Sequence, residues 1–416
     1  MLSLLDIQSR RFSTYCLAFA AGHFVISAAL AQAPPAANTP LANKLAVQLS
    51  EDECVQFARS MEAAVKQGDL KAFDRLVDWN AMLNKATDSL GFSPQNRAGF
   101  HRGVLDSVTS EKGFAAQIAG HVARGGSYKF LHVRERNGQP TVLLRLVSDA
   151  GLNYHEWLLT KVGGNVLASD IYIYISGELL SDTLRRSALP VAKELSKTFI
   201  ERLTVAESEY VKHFDELAKM MEHVQAGNHA EALETYARLP EVLRREKGAL
   251  LVRYQAAANI GEAELLKVVE DFRGYHPDDV CMDFLLIDYH VLRQEHDQAL
   301  AAIDRLDASV GGDPHLNLLR ADTVYRQGDK AKAFELVRTA NAADPEAIDP
   351  YWSLLGLTVL EKDHDKTLAA LNGIESRFGV DLSGVAQAPE YEEFRESPQG
   401  QEWTRAHAQP AIQANQ

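Results

Sequence analysis

Residues 128–175 read YKFLHVRERNGQPTVLLRLVSDAGLNYHEWLLTKVGGNVLASDIYIYI. Apolar and polar residues alternate here in steps of two, the pattern of half-buried strands. Tyr128 to Arg136 and Thr141 to Ser148 join across Asn137-Gly138, a pair that readily takes the positive φ angles of a two-residue hairpin. Leu152 to Lys161 and Val166 to Ile175 join across Gly163-Gly164. The stretch therefore predicts a four-stranded antiparallel meander. In its last strand Leu167, Ser169, Ile171, Ile173 and Ile175 share one side, and Ala168, Asp170, Tyr172 and Tyr174 the other. With the isoleucines inward, the third strand points His155, Trp157 and Leu159 into the core and Tyr154, Glu156 and Leu158 away from it.

Upstream the period changes to that of helices. Ser50 with Glu53 makes a capping box, and Val55, Phe57, Ala58, Met61 and Val65 follow at helical spacing. Gly68-Asp69 ends that helix, and Leu70, Phe73, Leu76 and Val77 begin another. A third helical region runs from Phe92, near Ser93-Pro94, to Ala123. Helices followed by an antiparallel sheet make residues 50–182 an α+β domain. This order, with the run Lys66-Gln67-Gly68-Asp69-Leu70 followed by Lys71-Ala72-Phe73, resembles the SnoaL-like, or nuclear-transport-factor-2-like, family. The resemblance implies a curved sheet wrapped around helices, often with a cavity, in which enzymes of the family often place a His or Asp for acid–base work.

His155, Trp157 and Ser169 are the candidate lining of such a cavity. General acid–base catalysis needs a tuned partner within hydrogen-bond reach, and the sequence identifies no dyad. His155 is accordingly read as a core histidine satisfied by backbone or by Ser169. On the opposite side Tyr154, Tyr172 and Tyr174 form an aromatic face, extended by Tyr128 and Phe130. Two readings of that face stand side by side: tyrosines paired across strands in water, or a face between domains, packed on a downstream helix that carries Phe199 and Phe214.

That helix is the one predicted over residues 186–225, where Leu195, Phe199, Leu203, Ala206, Tyr210, Phe214 and Leu217 recur at three- and four-residue spacing. The change of period is placed around Ser187-Ala188-Leu189-Pro190. Over residues 226–405 the chain aligns on itself. Ala299, Ala333 and Thr367 stand 34 residues apart in similar settings, Ala232 stands 67 before Ala299, and a weaker copy surrounds Leu265. This period, with a small residue early in a second helix, resembles the tetratricopeptide repeat. The resemblance implies an all-α superhelix of about five stacked helix pairs that offers a groove to a protein or peptide. Tyr391, Phe394 and Trp403 suggest a cap at its carboxyl-terminal end. His229, His296 and His364 recur in equivalent turns, too far apart to share one metal ion, so they are read as turn residues. Gly311-Gly312 lacks the Gly-Lys-Ser/Thr of a phosphate loop.

The chain of 416 residues begins with Arg10-Arg11, an apolar stretch from Thr14 to Leu30, and Ala29-Leu30-Ala31. This is the pattern of a signal peptide over residues 1–31, and a retained membrane anchor is the competing reading. A Pro- and Ala-rich linker follows over 32–49. No later segment is long and apolar enough to span a bilayer. The net charge is −14, and becomes −15 on cleavage because residues 1–31 carry two arginines and one aspartate. Such a charge argues against nucleic acid and anionic membranes as partners. The cleaved chain keeps Cys54 and Cys281, read as buried free thiols rather than a bridge. The expected function is a periplasmic or secreted, non-enzymatic adaptor for a protein or peptide, without metal or cofactor. The alternatives are a small-molecule-binding or enzymatic SnoaL-like module and a purely structural envelope protein.

Overall fold

The computed structural model describes residues 49–148, 151–195, 203–382, 384 and 388–407. The signal sequence and nearly all of the linker expected after it lie outside these residues. The chain divides into two compact units, one running through Tyr289 and the other starting, among the described residues, at His290.

Among the described residues of the first unit five helices precede the sheet: α1 Glu51–Gln67, α2 Leu70–Arg75, α3 Trp79–Thr87, α4 Pro94–Val108 and α5 Phe114–Ala123. The capping box forms as read. Ser50 Oγ accepts from the Glu53 amide at 3.2 Å, and the Glu53 carboxylate accepts from the Ser50 amide at 3.0 Å. Gly68, at φ 66°, closes α1 in the left-handed conformation that glycine adopts at little cost. The region expected to be helical from Phe92 to Ala123 is two helices. The chain turns so tightly at Gly113 that a Cβ there would lie 2.1 Å from the Val108 carbonyl oxygen.

The strands are β1 Ser127–Arg136, β2 Gln139–Ser148, β3 Gly151–Val162, β4 Asn165–Ile173 and β5 Glu178–Leu179, antiparallel in the order β1-β2-β3-β4-β5. Both hairpins turn on paired positive φ angles, 52° and 79° at Asn137-Gly138 and 57° and 86° at Gly163-Gly164. The meander thus has a fifth strand beyond the four expected. β4 ends at Ile173, and a turn at Gly177, with φ 63°, folds the chain back onto Tyr172 and Ile173.

The single long helix expected over 186–225 is replaced by α6 Leu180–Leu195, α7 Val205–Lys212 and α8 Phe214–Gln225. A second capping box makes the break. Thr204 Oγ accepts from the Glu207 amide at 3.1 Å, and Glu207 accepts from the Thr204 amide at 2.9 Å. Ser187 to Pro190 is no boundary, for these residues lie within α6, where Ala188 and Leu189 are buried.

The remaining helices of this unit are α9 His229–Arg238, α10 Glu241–Arg244, α11 Lys247–Ile260, α12 Glu262–Tyr275 and α13 Cys281–Leu292, the last ending across the division. The second unit holds α14 His296–Val310, α15 Leu316–Arg326, α16 Lys330–Ala343, α17 Asp349–Leu360, α18 His364–Phe378, a 3-10 turn at Pro389–Tyr391, α19 Glu392–Glu396 and α20 Pro398–His407. The period of the sequence is also the period of the helices. α9, α12, α14, α16 and α18 begin at 229, 262, 296, 330 and 364. Ala232, Leu265, Ala299, Ala333 and Thr367 each lie three residues into those helices, and each is buried. At four of the five positions the side chain is Ala or Thr, small enough to let neighbouring helices approach closely. No helix among the described residues is long and apolar enough to cross a membrane.

Candidate functional site

The sheet brings two groups of side chains together, one on each face. On the inner face α1 and α5 pack against the strands. His155 faces Ile173 across the β3–β4 pair, as the alternation requires. Its Nδ1 lies 3.1 Å from the Tyr128 hydroxyl, which also accepts the Trp157 indole N–H at 2.8 Å. Its Nε2 lies 3.3 Å from the Asn153 side-chain nitrogen. Asn153 Oδ1 accepts the amides of Tyr154 and Ile175, at 2.8 and 3.1 Å, so the amide nitrogen is the end turned to the imidazole. Nε2 is then the acceptor and Nδ1 carries the proton, an assignment made from the network. Phe114 lies 6.0 Å from the ring, and Phe73, Phe114 and Trp157 pack edge to face or tilted around one another.

Burial, and then electrostatic repulsion from nearby His121, push the His155 pKa down to about 3. The imidazole is therefore neutral, satisfied and enclosed. The sign for stability follows: an unfolded chain takes up this proton below about 6.5, while the folded chain refuses it until about 3. Stability is lost as pH falls through that window. In a ring-proton NMR titration the signal that disappears in His155→Gln should show no protonation between pH 7 and pH 4. A midpoint near 6.5 would instead mean a ring open to solvent.

Ser169 is not beside His155. The β3–β4 register slips between Leu158 and Leu159, leaving Ser169 as the extra residue of a bulge. Its hydroxyl donates to the Leu158 carbonyl at 3.2 Å and accepts from Gln139 Nε2 at 3.0 Å. Asn153 and Tyr128 take the place the sequence assigned to it, and strict alternation gave no sign of the bulge.

The outer face holds a charged network that the sequence did not single out. Glu156 lies opposite Tyr172. Its carboxylate accepts two guanidinium N–H groups of Arg136, the Nε bond at 2.9 Å, the Thr141 hydroxyl at 2.8 Å and the Tyr174 hydroxyl at 3.3 Å. Arg134 donates to the Tyr174 oxygen at 2.9 Å, and the Arg136 guanidinium lies 3.9 Å over the Tyr172 ring. Tyr154 and Tyr174 are sealed from solvent, with rings 5.9 Å apart. Burial, then the charge of Asp279, pushes the Tyr172 phenol up. One available signal was the pair Arg134 and Arg136, two apart on one strand face, with a lone carboxylate in the apolar run of β3.

Tyr154 and Tyr174 are thus buried and Tyr172 half-buried, not paired in open water. Tyr154 meets Phe284 of α13 at 6.1 Å; Phe214 lies tilted against its own neighbour Tyr210 at 6.2 Å, and Phe199 lies outside the described residues. A polar clasp holds this arrangement. Lys247 Nζ donates to the Gly177 carbonyl at 2.6 Å and to Asp279 at 2.7 Å. Gly177 admits the clasp because a Cβ would lie 2.3 Å from Asp279 Oδ1.

Cys54 and Cys281 are buried free thiols, and burial raises the pKa of both. His229, His296 and His364 are the first residues of α9, α14 and α18. Among the described residues no three His, Cys, Asp or Glu side chains group so as to hold a metal ion. Chemically, the inner group is a neutral imidazole in a hydrogen-bonded aromatic core, and the outer group an ion pair saturated by its neighbours. Comparison with family models, with curated proteins and with solved structures gave no match.

Proposed function

We propose that this chain is an exported, non-enzymatic adaptor that binds a protein or peptide through a tetratricopeptide-like array of helix pairs. The observation that carries this reading is the recurrence of second helices at 229, 262, 296, 330 and 364, each with a buried residue three positions in. Helix pairs of constant length present the same surface positions again and again, which suits an extended partner. Two facts about the sheet support the non-enzymatic part. His155 is kept neutral by its burial and has hydrogen-bond partners at both ring nitrogens, and Glu156 has its oxygens filled by Arg136, Thr141 and Tyr174. Arg10-Arg11, the apolar stretch and Ala29-Leu30-Ala31 support export to the periplasm or beyond.

One preparation tests both parts. The full chain, tagged at its carboxyl terminus and crosslinked in its native host, should start at Gln32 and carry crosslinks to a protein partner in the helices from α8 onward. A chain still starting at Met1 would overturn export. Crosslinks confined to the sheet, or a small molecule retained in native mass spectrometry, would favour a ligand-binding α+β module instead.

A further inference from the structure

At the carboxyl-terminal end of the second unit one side chain has contacts that suit a single protonation state. His407 closes α20. Its Nδ1 lies 2.7 Å from the Trp403 carbonyl oxygen, and its Nε2 lies 2.9 Å from each carboxylate oxygen of Glu375 on α18. Both partners only accept hydrogen bonds. A neutral imidazole has one N–H and can serve one of them; the imidazolium serves both. The ring also stacks on the Trp403 indole, centroids 4.0 Å apart, where a cation is favoured over the π face.

The charges that act most on the ring are those of Glu375 from α18 and Asp381 from the segment behind it. On its own helix Arg405 turns back to the Gln401 carbonyl at 3.1 Å. The cap that His407 ends lays Tyr391, Phe394 and Trp403 over Leu355, Leu371 and Ile374. Further polar ties to the cap run from Lys362 to Glu393 at 2.8 Å and from Gln399 to Asp365 at 2.7 Å. A second imidazole, His364 at the start of α18, lies 6.2 Å from the Phe394 ring.

We propose that His407 is a proton-operated latch, whose imidazolium ties the carboxyl-terminal cap to α18 in mildly acidic medium and whose deprotonation loosens α20. The bond to the Trp403 carbonyl and then the Glu375 carboxylate hold the proton more tightly than a free histidine would, against a smaller opposing effect of burial. The docked cap therefore has the larger proton affinity. Its support from His407 is complete below the ordinary value of 6.5 and is lost as pH rises through the docked value.

The test is hydrogen–deuterium exchange of the full chain at pH 5.5 and 8.0, corrected for intrinsic rates, with α17 as internal reference. In the wild type, protection of residues 398–407 should fall by roughly a factor of 3 to 10 at the higher pH. In His407→Gln it should be low at both. His364→Gln should keep the wild-type response, and Glu375→Gln should return the NMR titration of His407 towards 6.5. Equal pH responses in wild type and His407→Gln, loss of the response in His364→Gln, or a wild-type His407 titrating at or below 6.5 would each overturn the latch.

Discussion

Replacing Trp157 with alanine is expected to lower the unfolding free energy by about 4 kcal/mol, the scale of a fully buried large aromatic cut back to a methyl group. Trp157 has no exposed surface and sits on β3 with Phe73 at 5.7 Å and Phe114 at 6.0 Å. The cavity left behind is walled by rings held from two helices and the sheet, so it collapses poorly. The variant also takes away the N–H that Tyr128 accepts, and with it a fixed point of the His155 network. Urea denaturation of both proteins measures the difference. A loss under about 1 kcal/mol would mean that the helices do not close over this face of the sheet.

Glu156→Ala is expected to cost about 3 kcal/mol, because it leaves the Arg136 guanidinium in a half-buried place without its carboxylate. The Glu156 side chain is only 2% exposed while that of Arg136 is 30% exposed. Water therefore relieves part of the strain in this variant, and Arg136→Ala, which strands the deeper charge, should cost at least as much. The pair as a pair adds little net stability, since both charges left water to make it. Glu156→Leu combined with Arg136→Met should accordingly recover most of the loss. A double-mutant cycle reads the coupling directly. Single losses that simply add would falsify the network as drawn.

Much of this architecture was legible in the amino-acid sequence, and the reason differs from element to element. The two hairpins were legible because Asn137-Gly138 and Gly163-Gly164 are local signals, complete within four residues. Ser50 and Glu53 were legible for the same reason, and the equivalent box at Thr204 and Glu207 stood in plain view where one long helix was expected. Apolar spacing alone does not distinguish one long helix from several short ones along a common face. The burial of Ala299, Ala333 and Thr367 was legible because repetition averages over many weak cues.

The candidate site was legible only in half. His155 and Trp157 point where the alternation places them, but Ser169 does not, since a bulge is a negotiation between two strands and neither strand's sequence announces it. The outer face was recognised as unusual from Tyr154, Tyr172 and Tyr174, but its neighbour Phe284 was not foreseen. Phe284 and Lys247 reach that face from far along the chain, and sequence proximity had pointed to Phe199 and Phe214.

The amino-acid sequence by itself determined that helices precede a meander, the hairpin turns, the face of the sheet on which His155 and Trp157 lie and the recurrence of the later helices. These depend on local dihedral preference and on period, which are carried by near neighbours. Tertiary structure alone decided that Glu156 is paired with Arg136, that His155 is kept neutral by burial with Asn153 and Tyr128 as its partners, that β5 folds back to make a fifth strand, and that Lys247 clasps Gly177 and Asp279. Each of these joins groups brought together by packing, and whether a buried charge or imidazole is tolerable depends on which partners that packing delivers.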